Sequence, residues 1–242
     1  MYPYDTVIFD LDGTLLNTLQ DLADSTNYAL ALQGMPARTL EEVRRFVGNG
    51  VGRLRHRAVP EGTPEEVEAR VLADFRAHYT LNMEHKTAPY PGVLPLLDRL
   101  GQAGIRTAVV SNKFDSAVKG LCHAYFGARI PVAIGESQGV ARKPAPDTVF
   151  RALEELGAGT CRAVYVGDSE VDLETARNAG LPCILVSWGF RGRKALEPLG
   201  ADISGSQFLE PDGMFPNHVP NPENEEAMAS ICQAVKAAHA DL

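Results

Sequence analysis

The chain has 242 residues, 45% of them hydrophobic and 22% charged, a composition typical of a globular protein with one large domain or a core and a small accessory domain. Its formal net charge of −8 argues against nucleic acid or an anionic membrane surface as a partner. No apolar stretch approaches the roughly 18 residues of a membrane span, and the N-terminus lacks the pattern of a signal peptide. We therefore expect a cytoplasmic protein without a membrane or nucleic-acid partner.

The four cysteines are far apart in the chain and form no C-x-x-C pair. Cys161 and Cys183 lie in or beside apolar runs, which predicts buried free thiols at these two positions. Neither a disulfide framework nor a zinc site is expected, and this agrees with a reducing cytosol.

The predicted elements begin with a strand at residues 4–9, a short apolar run of the kind found in buried parallel strands. Only helical patterns follow, over residues 17–33, in two short pieces within 39–59, and from Pro64 to about Glu84. From residue 92 onwards helices and strands alternate. The helices are expected at 93–103, 115–125, 146–156 and 170–179, and the strands at 105–110, 132–134, 163–166 and 183–186.

This alternation predicts an α/β fold with a Rossmann-like parallel sheet core, into which a small α-helical cap is inserted after the first strand. We expect the core to comprise residues 1–15 and 92–242, the cap residues 16–85, and the linker residues 86–91. A loop rich in proline, glycine and asparagine is expected at 205–224, and an amphipathic helix at 223–240.

An acidic pair follows the first strand, where the sequence from residue 10 reads DLDGT. If Asp10 and Asp12 continue the strand, their side chains point to the same side of the sheet, and Gly13 then permits a sharp turn. In open α/β sheets, ligands bind at the carboxyl ends of the strands. Two neighbouring buried carboxylates are costly unless a cation or a proton lies between them, so the pair indicates a divalent metal site.

Two further polar stretches follow predicted strands. Ser111 and Asn112 come directly after the strand that ends at Val110, and they could hold a phosphate near the start of a helix. Capping of that helix is the alternative. Lys143 precedes a proline, which restricts its backbone. It could neutralise phosphoryl oxygens, or it could be a solvated lysine on a loop.

The last polar stretch contains Asp168 and Asp172, which lie on one face of a helix where that helix begins. They are suitable ligands for a hard cation, although acids at a helix N-terminus also complement the helix dipole. Acids, a lysine and Ser/Asn side chains at one edge of a single sheet together favour a catalytic site.

These four stretches resemble, in order, the four motifs of the haloacid dehalogenase superfamily of phosphohydrolases, and the resemblance extends to about Ile203. The helical insert is similar to the small mobile cap of that superfamily. Within it, the chain resembles the phosphoglycolate phosphatase group most, through FVGNG at residues 46–50, YPGV at 90–93 and VSNK at 110–113. Asp12 argues against a dehalogenase, which lacks an acid there because it has no oxygen leaving group to protonate.

The resemblance implies a phosphatase that acts through an aspartyl-phosphate. Asp10 would attack phosphorus. Asp12 would protonate the leaving oxygen and later deprotonate water, a contribution on the order of 10²–10⁴-fold. The phosphoryl oxygens would be held by Ser111, Asn112 and Lys143.

The implied cofactor is Mg²⁺, which would lie between the Asp10 carboxylate, the backbone carbonyl of Asp12 and Asp168. Asp172 would support the ion directly or through water. Thr14 would orient the first carboxylate.

The cap would close over the site and exclude water. Its permissive backbone, which could reach a small substrate, is provided by Gly48, Asn49 and Gly50. Arg53 and Arg55 could read a substrate carboxylate, or they could form a basic helix face in water. Lys113, beside the second motif, could also help with the anion.

Alternatives stay open. The chain could be a sugar-phosphate phosphatase, a pyrophosphatase or a phosphoglucomutase-like phosphotransferase of the same superfamily. Transfer would require the phosphoenzyme to survive until a sugar phosphate rebinds. An alternative of another class is a non-catalytic phosphate-binding regulatory domain. The expected partner is a small phosphorylated metabolite, and we expect a monomer or a homodimer.

Overall fold

A six-stranded parallel sheet forms the centre of the computed structural model, which describes residues 4–48, 50, 56–199 and 202–204. The strands are β1 (Thr6–Phe9), β2 (Leu16–Asn17), β3 (Ala88–Pro89), β4 (Arg106–Phe114), β5 (Val132–Glu136), β6 (Ala163–Gly167), β7 (Cys183–Val186) and β8 (Asp202–Ser204). The order across the sheet is β5-β4-β1-β6-β7-β8. Strand β1 is therefore central, and it pairs in parallel with β4 on one side and β6 on the other.

Helices cover both faces of this sheet and also form the insert that follows β1. They are α1 (Leu19–Leu32), α2 (Leu40–Phe46), α3 (Glu65–Asn82), α4 (Val93–Gln102), α5 (Asp115–Phe126), α6 (Asp147–Leu156), α7 (Glu170–Ala179) and α8 (Arg193–Leu196). Helices α4 and α5 pack on the face that contains Val7 and Phe9, while α6 and α7 pack on the face that contains Ile8. Successive side chains of a strand point to opposite faces, so the apolar run of β1 contributes to both layers. The predicted α/β fold with a Rossmann-like parallel sheet is confirmed.

The segment between β1 and α4 is helical apart from its ends, where β2 and β3 form a short antiparallel ladder. Helices α1 and α3 pack against each other through an apolar cluster that includes Leu30, Phe75 and Tyr79. Phe190, which follows β7, belongs to the same cluster and brings this helical insert against the sheet. The division into core, cap and linker stays a prediction, and we use the word cap below for the described part of residues 16–85.

Strand β4 is longer than predicted. It continues to Phe114, so Ser111 and Asn112 lie inside the strand and not after it, as the sequence had suggested. The pairing of β4 with β5 is irregular after Val110 and resumes where Phe114 pairs with Glu136. Because the chain stays extended through this irregularity, the strand carries its polar residues beyond the hydrophobic layers and over the edge of the sheet.

The prediction of buried thiols was wrong for Cys161, which is exposed, and Cys183 is only partly buried. This residue lies in the 3-10 helix Thr160–Arg162, a surface turn before β6. Cys122 is buried, and burial raises the pKa of its thiol to about 12. The loop expected at 205–224 and the helix expected at 223–240 lie outside the described residues.

Candidate active site

A cavity of about 50 Å³ lies at the carboxyl end of the central strand, between the sheet and the cap. A volume of this size has room for only a few water molecules, and therefore for a small ligand. Its core wall, a name we use below, consists of Asp10, Asp12, Ser111, Asn112, Lys113, Lys143, Asp168, Ser169, Phe190 and Arg191. On the cap side, the described lining residues are Leu22, Val47, Gly48 and Gly50, which we call the cap wall.

Lys143 is held by three acceptors at the centre of the core wall. Its Nζ lies 2.7 Å from Asp10 Oδ1, 2.8 Å from Asp172 Oδ1 and 3.0 Å from the Tyr165 hydroxyl. Burial disfavours its charge, but the charges of Asp10 and Asp172 outweigh this and hold the pKa of Lys143 well above its ordinary value. An ammonium has three donors, so all of them are used. The structure thus excludes a solvated lysine here and fixes a permanent positive charge beside Asp10.

Asp10 directly follows β1, and its backbone N–H donates to the Val166 carbonyl at 2.9 Å, which continues the sheet ladder. Its side chain is buried. Burial raises the pKa of Asp10 to about 7, with a further upward contribution from the charge of Asp172 and a downward one from Lys143. A cation placed at this carboxylate would favour its ionised form, which is the form that a nucleophile needs.

Asp172 accepts five hydrogen bonds, which occupy both of its oxygens. Oδ1 accepts from Lys143 and Tyr165, and Oδ2 accepts from the N–H of Asp168 and from the N–H and hydroxyl of Ser169. Ser169 is the N-cap of α7, where it forms a capping box with Asp172. This carboxylate therefore orients Lys143 and fixes the start of the helix.

Asp168 lies between two glycines that approach it closely. A Cβ atom at Gly13 or Gly189 would overlap the Asp168 carboxylate, so both positions require the absence of a side chain. The backbone N–H of Phe190 donates to Asp168 Oδ2 at 2.6 Å. Burial, together with the charges of Asp172 and Asp10, raises the pKa of Asp168 well above its ordinary value.

Oxygen atoms of Asp10, Asp168 and Asp172 lie within 4.8 Å of one another, and all three residues are buried. Such a group of like charges is costly without a neutralising cation. Carboxylate oxygens are the ligands that Mg²⁺ and Ca²⁺ prefer. The donor set therefore fits a hard divalent cation.

Asp12 is held apart from this cluster. Its Oδ2 lies 2.9 Å from the Lys113 ammonium, and its Oδ1 accepts a hydrogen bond of 2.5 Å from the Thr18 hydroxyl. Thr18 is the N-cap of α1 but makes no side-chain capping bond, because its hydroxyl is engaged by Asp12. Burial disfavours the Lys113 ammonium, but the charge of Asp12 outweighs this and raises the pKa of Lys113 above its ordinary value.

Ser111 and Asn112 meet the cavity in different ways. Asn112 Nδ2 donates to the Lys143 carbonyl at 3.0 Å and to the Gly48 carbonyl at 3.3 Å, which links the core wall to the cap. The Ser111 hydroxyl oxygen accepts from the N–H of Lys113 at 3.3 Å, so its own proton stays available for an anion in the cavity.

The structure brings most of the predicted site residues together around one cavity, with Gly48 and Gly50 on its cap wall. Thr14 is buried away from the cavity, and its hydroxyl has no hydrogen-bond partner among the described residues. The residues outside the described part of the chain are Asn49, Arg53 and Arg55. Their predicted contact with substrate stays a prediction.

Arg191 is a site residue that the sequence reasoning missed. Its Nη2 donates to the Val47 carbonyl at 2.9 Å and its Nη1 to the Arg44 carbonyl at 3.5 Å, both in the cap. Its Nε lies 3.0 Å from Glu170 Oε2. Arg191 therefore connects the end of α2 with the start of α7. In the sequence it belongs to a basic run, RGRK, which is usual for a solvated loop.

Residues 7–186 match the model of the haloacid dehalogenase-like hydrolase family. A curated phosphoglycolate phosphatase from Mesorhizobium japonicum is 37% identical over 196 residues, covering 79% of this chain and 86% of that protein. The crystal structure of a proposed phosphoglycolate phosphatase from Lactobacillus delbrueckii subsp. bulgaricus is 32% identical, with a TM-score of 0.82, and covers 97% of this chain and 99% of that one. CbbY from Rhodobacter sphaeroides, in complex with xylulose-(1,5)-bisphosphate, is 29% identical, with a TM-score of 0.67 and coverage of 84% and 93%.

The chain belongs to the haloacid dehalogenase-like hydrolase family. With its curated relatives, this membership confirms the predicted enzyme class, a phosphoric monoester hydrolase. Within the described ranges, no helix has the length and apolar character needed to cross a membrane.

Proposed function

We propose that this enzyme hydrolyses small phosphate monoesters, first among them 2-phosphoglycolate, through an aspartyl-phosphate on Asp10. One observation carries the proposal: Asp10 ends the central strand 2.7 Å from the fixed cation of Lys143, in a cavity with room for only a small ester. The similarity to curated phosphoglycolate phosphatases supports the choice of substrate.

The reaction has two steps in this proposal. In the first, an Asp10 oxygen forms a bond to phosphorus while the bond to the ester oxygen breaks, and Asp12 gives the departing oxygen a proton. In the second, water attacks phosphorus, Asp12 takes the proton of that water, and phosphate leaves as the Asp10 carboxylate is restored. The Ser111 hydroxyl would donate to a phosphoryl oxygen, and the Lys143 ammonium, held beside Asp10, would offset the phosphoryl charge through its field.

The acidic cluster would hold Mg²⁺ in the proposed enzyme. Asp10 and Asp168 would bind the ion directly, with the backbone carbonyl of Asp12, and Asp172 would support it through the hydrogen bonds that it already makes. When bound, the ion would reduce the repulsion between the carboxylates and the phosphoryl group.

A panel of phosphate esters tests this proposal. The purified protein would be assayed with 2-phosphoglycolate, sugar phosphates, pyrophosphate and nucleoside monophosphates, each with Mg²⁺ and with a chelator. Asp10→Asn would run beside Asp98→Asn, which alters an exposed ion pair with Arg129 and serves as the matched control. We expect metal-dependent phosphate release that Asp10→Asn reduces on the order of 10⁴-fold or more. Release of phosphate from none of the esters would contradict the proposal.

A sugar bisphosphate is the second candidate substrate, because the chain resembles a CbbY structure that holds one. The cavity of about 50 Å³ favours a smaller ester than a five-carbon bisphosphate. The highest kcat/KM on a sugar bisphosphate in the same panel would reverse this order.

A further inference from the structure

Two of the three cations on the described wall of the cavity are already held by several protein acceptors. Lys143 uses its three ammonium hydrogens on Asp10, Asp172 and Tyr165. Arg191 is bonded to Glu170 and to backbone carbonyls of the cap. Neither is free to bind a second anionic group of a substrate without breaking bonds that shape the site.

Lys113 differs from these two cations. Its ammonium has one carboxylate partner, Asp12 at 2.9 Å, and the face of the Tyr79 ring lies 4.7 Å away. The ammonium therefore has donor capacity left for an incoming anion. Its side chain exposes only 2% of its surface, so little water would compete with that anion.

The cap wall strengthens this argument. Its described residues are two apolar side chains and two glycines, and none of these four offers a side-chain hydrogen bond to a sugar hydroxyl. Lys113, in contrast, lies two residues beyond Ser111 on the same strand, and both residues line the cavity. Side chains two residues apart on a strand point to the same side, so Ser111 and Lys113 can meet the two ends of one short dianionic molecule.

We propose that Lys113 determines substrate specificity by binding the carboxylate of a short phosphorylated hydroxy acid. This inference rests on the proposed function, because it takes the phosphoryl end of the substrate to lie against Asp10 and Ser111. On binding, the ammonium of Lys113 shares its hydrogens between Asp12 and the substrate carboxylate, and no covalent bond changes. Tyr79, from α3, holds the ammonium in place from the cap side.

The test compares two esters that differ only in the second anionic group, 2-phosphoglycolate and 2-hydroxyethyl phosphate. The measured quantity is the ratio of their kcat/KM values, in the full-length protein with Mg²⁺. We expect Lys113→Met to lower this ratio about 10- to 100-fold, the usual effect of losing a hydrogen bond to a charged group. Lys119→Met, which alters an exposed ion pair with Asp115, should leave the ratio unchanged.

Two outcomes would overturn the inference. If Lys113→Met lowers kcat/KM for both esters by the same factor, Lys113 only positions Asp12. If the wild-type protein cleaves neither ester, the proposed function fails and the role of Lys113 fails with it. If the methionine variant does not fold, Lys113→Gln, which keeps a hydrogen-bond donor, takes its place. The ratio of kcat/KM values is again expected to fall.

Discussion

The two walls of the cavity are built in opposite ways. The core wall carries three carboxylates and two lysines, which are fixed by hydrogen bonds to one another and to the ends of strands. The cap wall carries apolar side chains and bare backbone, and it is bonded to the core through Arg191 and Asn112. Groups that must be placed accurately thus lie at or beyond the ends of strands and are fixed by hydrogen bonds, whereas the described part of the cap supplies shape. This difference predicts that substitutions on the core wall lower kcat and that substitutions at the cap connection raise KM.

Among the substitutions that compare the two walls, Lys143→Met is expected to have the largest effect. This change removes the cation beside Asp10 and leaves the acidic cluster without its internal counter-charge. We expect kcat to fall on the order of 10³-fold, as for the loss of one preorganised group that stabilises a transition state. Lys194→Met, at an exposed position, is the control. Steady-state kinetics with saturating 2-phosphoglycolate would measure the effect. A decrease in kcat of less than about tenfold would show that Lys143 is not essential for catalysis.

Gly189→Ala tests the core wall without replacing a charged residue. The new Cβ would overlap the Asp168 carboxylate and displace it. We expect the affinity for Mg²⁺ to fall about 10- to 100-fold, since displacing a metal ligand resembles the loss of its supporting contacts. Titration of activity with Mg²⁺ would show this. Gly159→Ala is the matched control because its Cβ would meet only Cys161 Sγ, at 3.9 Å. Equal affinities in both variants would show that Asp168 does not hold the ion.

Arg191→Met tests the hydrogen bonds that connect the cap to the core. The carbonyls of Val47 and Arg44 would lose their donor, and the closed position of the cap would become less favourable. We expect KM to rise about fivefold and kcat to change less than about twofold, the pattern of a lost interaction that serves binding and not chemistry. Arg193→Met, from an exposed ion pair with Glu197, is the control. If kcat fell as much in Arg191→Met as in the core-wall variants, the two walls would not differ in function.

The smallest effect is expected at an ion pair outside both walls. Partial burial pushes the pKa of Asp5 up, but hydrogen bonds from Thr6 and Arg106 and the charges of Arg106 and Arg162 outweigh this and lower the pKa below its ordinary value. Because its pKa is lowered by folding, ionised Asp5 stabilises the folded state at pH values above the pKa it has in the unfolded chain. This stabilisation is lost as the pH falls through the pKa of Asp5 in the folded state.

Asp5→Asn should accordingly reduce the free energy of unfolding by about 0.5 kcal/mol at pH 7, a value limited by the exposure of the pair. The difference should shrink below about pH 4. Urea unfolding of both proteins at pH 7 and at pH 3 would measure it. An equal difference at the two pH values would show that the effect does not come from the charge of Asp5.

The sequence was sufficient for the elements whose hydrophobic pattern is regular. Strands β1, β6 and β7 and helix α7 lie where the pattern predicts them, because buried parallel strands are short apolar runs. The end of β4 was missed since Ser111 and Asn112 are polar, and only the pairing of Phe114 with Glu136 keeps this segment extended. Such pairing depends on a strand that is distant in the sequence.

The same reasoning applies to the site. Asp10, Lys143 and Asp168 could be predicted because each follows an apolar strand. Tyr165 could not, since it lies inside such a strand and looks like a core residue until its hydroxyl meets Lys143 and Asp172. Gly189 carries no signal of its own, because the reason for a glycine there is the approach of Asp168 from another loop.

Phe190 and Arg191 are consecutive in the chain but serve opposite sides of the cavity. The N–H of Phe190 donates to Asp168 in the acidic cluster, while the guanidinium of Arg191 donates to the carbonyls of the cap. Two consecutive residues therefore connect Asp168, a proposed ligand of the cation, to the backbone of the cap. A displacement of this loop would move both contacts together, so the retention of a cation and the position of the cap depend on the same short segment.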